Sequence, residues 1–361
     1  MRDSLPTAHQ FTQHLILMSN RIVSEYIRSM ENRRKSILGI GNALTDILAV
    51  LPDDALLKRY NLPVGSMQHV NEETGDNIWN ALKEVGVENV PGGSASNTVT
   101  GAAMFGMDSG FIGKVGNDEL GLLFKEGQES VGIKPLLLKG KSASGRAMVF
   151  VTAPNSERTF AVYLGAALEL VPEDLKPEFF EGYDYFHIEG YLVQNHDLVR
   201  RAVELAKAAG SIISIDLASY NVVEENLEFL RGIVSDYVDI VFANETEAKS
   251  FTGKEPREAL DEIARMCDIA VVKLGPDGSM VKCAEKFAAI EPCPANCIDA
   301  TGAGDLYAAG FLYAHSLGMP VDICGKVGSI ISSKVVEVVG SRIDDARWKD
   351  SLDSIGAVMG L

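Results

Sequence analysis

The sequence predicts an α/β protein, with a mostly parallel sheet between two layers of helices and a small antiparallel sheet beside it. Three observations support this three-layer class. Apolar runs of strand length alternate with helical segments from Lys35 onward. The runs are nearly continuous in apolar residues, as expected of strands that are buried on both faces. Two strand-like segments also follow each other with no helix between them, which indicates a hairpin.

The parallel sheet is predicted from four apolar runs, which lie at residues 36–41, 211–216, 239–244 and 269–275. Segments with helical periodicity lie between these runs, at residues 196–209, 224–234 and 256–266. Alternation of this kind is typical of a sheet with helices on both faces.

The antiparallel sheet is predicted from residues 146–152 and 158–164, which are joined by a short turn. Because no helix separates these strands, they are expected to pair with each other. We expect them to belong to a lid that is set against the main body and built from segments at about 46–73 and 135–165.

Composition excludes several classes of function. The chain has 361 residues and a formal net charge of −17, which argues against binding to nucleic acid and favours small-molecule ligands. Its five cysteines are an odd number without the spacing of a disulfide scaffold, and a reducing cytoplasm fits. Cys293 and Cys297 form a C-x-x-x-C pattern, but with no histidine nearby we expect no metal there.

The N-terminal segment is interpreted as an extension outside the fold. Polar residues interrupt its short apolar core, and no small-x-small cleavage site follows, so it does not resemble a signal peptide. No apolar run reaches the roughly 18 residues of a membrane span. We therefore expect residues 1–34 to be frayed or loosely docked, and residues 35–361 to form the folded domain.

Residues 299–305 read DATGAGD and precede a segment rich in alanine and glycine, which predicts the start of a helix. The first turn of a helix presents unpaired N–H groups and a partial positive charge, so it favours an anion. Gly302, Ala303 and Gly304 carry little side-chain bulk, which lets a phosphate approach these amides. An acid at position 305 would not itself bind the anion. Asp305 could instead accept a proton.

Polar residues also follow several predicted strands at their carboxyl ends, which is where open α/β sheets bind ligands. These residues, together with the two acids of the glycine loop, are Asp46, Asp216, Asn244, Glu247, Gly275, Asp299 and Asp305. Their common edge of the sheet predicts one site.

Several candidate residues have an alternative interpretation that involves no ligand. Asp46 could be a helix cap or a turn residue, and Asn244 with Glu247 could form a capping box. Residues 91–97 could be a loop before a helix, and Arg158 could be a solvated turn residue.

Familiar catalytic motifs are missing from the sequence. The stretch GIGNAL at residues 39–44 begins like a dinucleotide fingerprint, but Leu44 occupies the third glycine position. Walker A, G-x-S-x-G and H-E-x-x-H motifs do not occur, and the six histidines lack ligand spacing. Dehydrogenase, hydrolase and zinc-enzyme functions therefore lose support.

Six motifs, in this order, resemble the ribokinase (PfkB) family of carbohydrate and nucleoside kinases: GNALTD, GGSASN, GKVGNDELG, NETEA, KLGPDG and DATGAGD. The resemblance runs from about Ser36 to about Gly340, and DATGAGD is its most specific motif. Residues 92–94 and 148–170 are most similar to the adenosine-kinase-like branch. The resemblance implies a ribokinase-like fold with a small β lid.

The same resemblance implies an ATP-dependent kinase that phosphorylates a hydroxymethyl group. Asp305 would be the catalytic base, and Gly302, Ala303 and Gly304 would form the anion hole for the γ-phosphate. The acceptor would be bound by Asn42, Asp46, Gly92, Gly93 and Asn97. ATP would be bound by Asn244, Lys273, Gly275, Thr301 and Arg158. Glu247 would hold Mg²⁺ through water.

The resemblance also raises the question of K⁺, because relatives often bind a monovalent cation between the loop around Asp299 and a stretch late in the chain. That stretch here reads VEVVGSR, with Val339 before Gly340 and Ser341 after it, which departs from the family pattern. Activation by K⁺ is therefore an open expectation.

The acceptor is open between a sugar and a nucleoside such as adenosine. Met148, Phe150, Phe160 and Tyr163 could stack on a purine, or could pack against the body. The rival class is a non-catalytic sensor of a sugar or nucleotide, although such a protein is expected to have lost Asp305 or the glycines. We expect a cytoplasmic monomer or homodimer without nucleic-acid or membrane partners.

Overall fold

Fourteen β-strands lie in the part of the chain that the computed structural model describes, which is residues 35–83, 87–152 and 157–360. In chain order the strands are β1 Ser36–Ile40, β2 Leu44–Leu51, β3 Met67–His69, β4 Glu88–Gly92, β5 Asp108–Val115, β6 Ile133–Lys139, β7 Gly145–Thr152, β8 Glu157–Tyr163, β9 Tyr185–Glu189, β10 Ile212–Asp216, β11 Ile240–Asn244, β12 Ile269–Lys273, β13 Ser279–Cys283 and β14 Lys286–Ile290.

The described α-helices are α1 Ala55–Arg59, α2 Glu72–Leu82, α3 Ser94–Met104, α4 Glu119–Ser130, α5 His196–Ala209, α6 Tyr220–Glu225, α7 Leu227–Tyr237, α8 Glu245–Thr252, α9 Pro256–Ile263, α10 Ala303–Ser316, α11 Val321–Val335 and α12 Asp345–Met359. Short 3₁₀ turns lie at Gly165–Glu169, Pro172–Asp174, Pro177–Phe179, Gly190–Gln194 and Gly275–Asp277.

The larger of two sheets contains nine of the described strands, in the order β14-β13-β12-β11-β10-β9-β1-β5-β6. Neighbouring strands from β12 to β6 are parallel, and β13 and β14 add an antiparallel edge. From β1 the chain first builds the β5 side and then returns to build the β9 side. The strand order therefore reverses at β1 and β9, and a crevice for a ligand is expected at their carboxyl ends.

Helices cover both faces of this sheet. On one face, Leu38 and Val241 belong to a core that includes α5, α7, α8 and α9. On the other face, Ile37 and Phe242 belong to a core that includes α10, α11 and α12. Successive strand residues point to opposite faces, so a strand buried on both sides needs a continuous apolar run. The predicted three-layer α/β fold and its four predicted strands are confirmed.

The predicted helices need two corrections. The single helix predicted at residues 224–234 is wrong, since Asn226 separates α6 from α7. Its φ of −125° is not helical, and its Nδ2 donates to Val222 O at 2.9 Å, which ties the residue to the end of α6. The helix predicted at residues 256–266 ends earlier, at Ile263. The helix predicted at residues 196–209 has the predicted bounds.

The smaller sheet contains five described strands, in the order β3-β8-β7-β2-β4. β7 and β8 pair antiparallel, which confirms the predicted hairpin. β4 also belongs to this sheet, whereas residues 133–139 form β6 of the larger sheet. The segment from about residue 135 predicted for the small sheet therefore begins later, at Gly145. Among the described residues, no helix combines the length and the apolar character needed to cross a membrane.

Candidate active site

A cavity of about 960 Å³ lies at the carboxyl ends of the parallel strands and is also lined by the small sheet. It brings together most of the residues that the sequence singled out. Those among its lining residues are Asn42, Asp46, Gly93, Asn97, Asp216, Asn244, Glu247, Lys273, Thr301, Gly302, Gly304 and Asp305. The common edge predicted from the strand ends is therefore a single concave site.

Asp305 lies in the first turn of α10 and is held by two side chains of α3. Ser94 Oγ donates to its Oδ1 at 2.7 Å, and Asn97 Nδ2 donates to its Oδ2 at 2.9 Å. Ser341 Oγ in turn donates to Asn97 Oδ1 at 2.9 Å, which fixes the orientation of that amide. The carboxylate is therefore oriented by hydrogen bonds from a separate helix.

The pKa of Asp305 is raised from 3.8 to about 6. Burial is the main cause, and the negative charge of Asp216 adds to it. The hydrogen bonds from Asn97 and Ser94 and the charge of Lys273 oppose the rise. A carboxylate with this pKa is ionised above pH 6 and is a stronger base than an exposed aspartate.

The glycine loop has the backbone geometry of a close approach. Gly302 has φ +74°, and a Cβ on it would lie 2.7 Å from Ser341 Cβ. The first backbone hydrogen bond of α10 runs from Leu306 N to Gly302 O, so the Gly304 amide precedes the helical ladder. Ala303 N donates to Ala300 O at 3.2 Å, so this amide already has a partner within the loop.

Asp46 and the two glycines at the end of β4, Gly92 and Gly93, form the wall of the site opposite the glycine loop. The Asp46 carboxyl lies directly over Gly92, where a Cβ would lie 2.1 Å from Asp46 Cγ. Gly93 has φ +89° and packs against Asn42 O, which a Cβ would approach to 2.4 Å. Both positions therefore require glycine for steric reasons.

The pKa of Asp46 is raised to about 7 by burial and by the nearby charge of Asp305, while Arg342 opposes the rise. Asp46 belongs to β2, so it is neither a helix cap nor a turn residue. A half-buried carboxyl group on the cavity wall can accept hydrogen bonds from a sugar.

Glu189, at the end of β9, is a central residue of the site that the sequence prediction missed. Its Oε1 accepts hydrogen bonds from Asn42 N at 2.8 Å and Asn42 Nδ2 at 2.7 Å, and its Oε2 accepts one from Ala95 N at 3.0 Å. Burial raises the pKa of Glu189 to about 7. The rule that polar residues follow strand ends would have found it, but His187 and Glu189 interrupt the apolar run of this strand.

Asn244 and Glu247 form the capping box that the sequence allowed as an alternative. Glu247 N donates to Asn244 Oδ1 at 2.9 Å, and Asn244 N donates to Glu247 Oε2 at 2.8 Å. Asn244 Nδ2 also donates to Glu247 Oε1 at 2.6 Å. Both residues nevertheless line the cavity, so the cap and a ligand site can coexist.

Lys273, at the end of β12, donates to Asp216 Oδ2 at 2.6 Å. Although burial lowers the pKa of Lys273, the neighbouring acids Asp216 and Glu247 raise it overall, so the ammonium is charged. A Cβ on Gly304 would lie 2.9 Å from Lys273 Nζ, so this cation borders the glycine loop. Lys273 can therefore contact an anion that binds there.

The described residues contain no group of three or more His, Cys, Asp or Glu side chains that could hold a metal ion by themselves. Magnesium commonly uses one or two carboxylates and completes its shell with water and substrate phosphates. Glu247 fits this pattern because it is an acid on the cavity wall near the glycine loop. Burial and the charge of Asp216 raise its pKa to about 7, which a bound cation would reverse.

The remaining predicted residues lie outside the cavity lining or outside the described side chains. Gly275 begins a 3₁₀ turn with φ +56° and is not among the described residues that line the cavity. Arg158 belongs to β8, paired with Val151, but its side chain lies outside the described part of the structure. Asp299 accepts hydrogen bonds from Thr301 N at 2.9 Å and Gly340 N at 2.6 Å, and so joins these two stretches.

The small sheet presents an apolar face to the cavity. Phe160 lines it, together with Ala147, Val149 and Val162. Met148 and Phe150 are fully buried in a core on the other face of the sheet, and Tyr163 packs near Arg146 there. Of the four residues considered for stacking on a purine, only Phe160 lines the cavity.

Comparisons with known proteins identify the family and agree with the fold. Residues 60–348 match the family model described as pfkB family carbohydrate kinase. An adenosine kinase from Sinorhizobium meliloti superposes with a TM-score of 0.79 at 31% identity, covering 89% of this chain and all of that one. A probable sugar kinase from Rhizobium etli has the same TM-score at 28% identity, covering 89% and 98%. An adenosine kinase from Dictyostelium discoideum is 28% identical over 336 residues, which are 85% of this chain and 96% of the relative.

Proposed function

Because the chain belongs to the pfkB family of carbohydrate kinases, and so is a phosphotransferase that acts on a sugar or nucleoside hydroxyl, we propose that it transfers the γ-phosphate of ATP to a hydroxymethyl group with Asp305 as the base. The observation that supports this role is the position of a half-buried, oriented carboxylate in the same helical turn as the glycine loop. The start of α10 would then supply both the base for the acceptor hydroxyl and the amides that bind the γ-phosphate of ATP.

The proposed chemistry follows from this position. The acceptor hydroxyl loses its proton to Asp305 as its oxygen attacks the γ-phosphorus, and the bond from phosphorus to the leaving oxygen of ADP breaks in line. The amides of Gly302, Ala303 and Gly304 face the negative charge that spreads over the phosphoryl oxygens. The Ala303 amide would exchange its hydrogen bond with Ala300 for one to the phosphate.

The acceptor is assigned to the wall opposite the glycine loop. Asp46 and Asn42 would bind its hydroxyl groups, because a carboxylate accepts and an amide both donates and accepts. The bare backbone at Gly92 and Gly93 leaves room for a sugar ring, and Asn97 stands between this wall and Asp305. Substrates without neighbouring hydroxyls would leave these buried groups unpaired, so they should be rejected.

The phosphates of ATP are assigned to the side of the cavity that carries Lys273, Asn244 and Thr301. When bound, Mg²⁺ supplies neutralising charge to the phosphates, and Glu247 would hold it through water. Gly275 would lie along the nucleotide, and Arg158 would approach from the small sheet. The assignment of these residues to ATP and Mg²⁺ comes from the motif resemblance. The proximity of Lys273 to the glycine loop is an observation from the structure.

A nucleoside is the second candidate acceptor, and a specific observation favours it. The small-sheet wall of the cavity is apolar, with Phe160 and Val162 facing inward. A nucleobase could bury its faces against such a wall, whereas a free sugar has little apolar surface to bury there. A sensor without chemistry finds no support in an intact Asp305 and glycine loop.

An assay of ADP release tests this function. Purified protein is incubated with ATP, Mg²⁺ and single acceptors from a panel of sugars and nucleosides, with and without K⁺. We expect acceptor-dependent ADP release with at least one member. The K⁺ arm is included because Asp299 joins the two stretches between which relatives bind a monovalent cation. Binding of an acceptor without any ADP release would indicate a sensor instead.

A further inference from the structure

An ion pair borders the glycine loop, and the motif resemblance gives a role to its lysine but none to its acid. Lys273 and Asp216 come from the ends of β12 and β10, and their side chains are only 14% and 8% exposed. A Cβ on Gly304 would lie 2.9 Å from Lys273 Nζ and 4.0 Å from Asp216 Oδ2. The pair therefore lies beside the loop that is proposed to bind the terminal phosphate.

An acid at this position needs an explanation, because a carboxylate repels phosphate. Asp216 is held on both sides. Its Oδ1 accepts a hydrogen bond from Ala218 N at 3.0 Å, and its Oδ2 accepts one from Lys273 Nζ at 2.6 Å. Ala218 has φ +67°, which is unusual for a residue with a side chain, and it lines the cavity. The turn and the carboxylate thus fix each other.

Lys273 has other acids within reach of its charge. Glu247 and Asp305 both raise its pKa, so each attracts the ammonium. A lysine on a flexible four-carbon stem can change partner at little cost. A direct pair between Lys273 and Asp305 would neutralise the base, and a pair with Glu247 would compete with a cation there. Because Asp216 binds the Lys273 ammonium itself, it holds that ammonium away from both Asp305 and Glu247.

We propose that Asp216 is a positioning residue, which holds the Lys273 ammonium beside Gly304 so that the terminal phosphate enters between a fixed cation and fixed amides. This inference rests on the proposed kinase function. Holding the cation in place before the phosphate arrives removes a reorganisation cost from the transfer step. Asp216 acts through Lys273, so its loss should lower kcat more than it weakens ATP binding.

The charges of Asp216 and Lys273 also shift the pKa of Asp305 in opposite directions. The charge of Asp216 raises the pKa of Asp305, and the charge of Lys273 lowers it. The other titratable groups whose pKa responds to the charge of Asp305 include Asp46, Glu189, Tyr191 and Glu247, and substitution of the ion pair leaves them in place. Removing one half of the pair should therefore move the acid limb of the pH–rate profile in a direction that identifies which half was removed.

The test compares Asp216→Asn with Lys273→Met. Asparagine keeps the oxygen that accepts from Ala218 N and removes only the charge, so the turn is preserved. We expect Asp216→Asn to lower kcat about tenfold or more, to leave the Kd of a non-hydrolysable ATP analogue unchanged or tighter, and to move the acid limb to lower pH. We expect Lys273→Met to weaken binding of the analogue and to move the limb to higher pH.

Asp261→Asn is the matched control, because Asp261 pairs with Lys282 at 2.5 Å between α9 and β13, and neither residue is among those lining the cavity. It should leave kcat, Kd and the acid limb unchanged. If the wild type is active and the Asp216→Asn variant has the same kcat and the same acid limb of the pH–rate profile, the inference about Asp216 is wrong. The proposed kinase function is not affected by that result. A wild type that binds the analogue but releases no ADP with any acceptor overturns the proposed function itself.

Discussion

At the residue scale, the site is a set of acids whose protonation is controlled by burial. Asp46, Glu189 and Glu247 have pKa values raised to about 7, and Asp305 to about 6, so all four ionise near neutral pH. Burial is the first cause in each case. These four acids therefore gain their negative charge over a narrow pH range.

Asp305→Asn should lower kcat by about 10²- to 10⁴-fold, the usual contribution of a general base. Asparagine can still bond to Ser94 and Asn97, and the anion-binding amides are backbone, so the Kd of an ATP analogue should change little. Steady-state kinetics and calorimetry measure these two quantities. A variant with normal turnover would show that another group takes the proton.

The same substitution should change stability with a defined pH dependence. A carboxyl group whose folded pKa is raised from 3.8 to about 6 contributes stability below pH 4 that is lost as the pH rises through 6. Asp305→Asn removes this loss, so its Tm should exceed that of the wild type at pH 8 and approach it at pH 4. Calorimetric scans at both values check the sign. An equal Tm difference at both would mean that Asp305 is not perturbed by burial.

Residues of the site could be predicted from the sequence where they follow a recognisable strand. Asp216 and Asn244 end apolar runs, and parallel strands bring their ends to one edge. Glu189 was not predicted because its own strand contains His187 and Glu189 among apolar residues, which hides the run. Ser94 was hidden for another reason, since nothing in a small-residue motif indicates which hydroxyl will donate to Asp305.

At the element scale, the start of α10 depends on the left-handed conformation of Gly302. Gly318, just after the same helix, also has φ +74°, but a Cβ there would meet nothing within 4 Å, whereas one on Gly302 would contact Ser341. The two glycines thus share a backbone conformation and differ in their surroundings.

Alanine substitution of these two glycines separates strain from function. Gly318→Ala should lower the free energy of unfolding by about 1 kcal/mol and leave kcat unchanged. Gly302→Ala should cost more, because Ser341 must move, and it should raise the KM for ATP by displacing the loop. Chemical unfolding and steady-state kinetics measure both effects. Similar losses of activity in the two variants would show that the conformation of the glycine loop at Gly302 has no specific function in ATP binding.

Elements with local signals could be predicted, and those with non-local partners could not. The β7 and β8 hairpin is visible in sequence because its strands are adjacent. The pairing of β2 with β7 and of β2 with β4 joins distant segments, so the small sheet was predicted without β4. At the break between α6 and α7, Asn226 has a non-helical φ and its side chain bonds to Val222 O and His196 Nε2, contacts that helical periodicity does not reveal.

At the scale of the whole molecule, the two sheets provide two kinds of wall. The larger sheet and the helices that follow its strands supply Glu189, Glu247, Asp305 and the lysine, whereas the small sheet supplies apolar side chains and one acid, Asp46. We propose that the small sheet acts as a lid that excludes water and so limits hydrolysis of ATP. The apolar wall should then decide between acceptors, because all candidate acceptors share the hydroxyl groups.

Phe160→Ala tests this division. We expect kcat/KM for a nucleoside acceptor to fall about three- to tenfold, the usual worth of an aromatic contact, with little change for a monosaccharide. Val50→Ala is the control, since Val50 belongs to β2 of the same sheet and is 66% exposed. Equal effects of Phe160→Ala on both acceptor classes would show that this wall does not contact a base.

The most direct measurement for the whole mechanism is a crystal structure with ADP, Mg²⁺, aluminium fluoride and an acceptor identified in the panel. We expect the metal fluoride within about 3 Å of the amides of residues 302–304 and the acceptor oxygen within about 3 Å of an Asp305 carboxylate oxygen. A metal fluoride bound away from these amides, or an acceptor hydroxyl that meets a different base, would contradict the assignment of both tasks to one helix start.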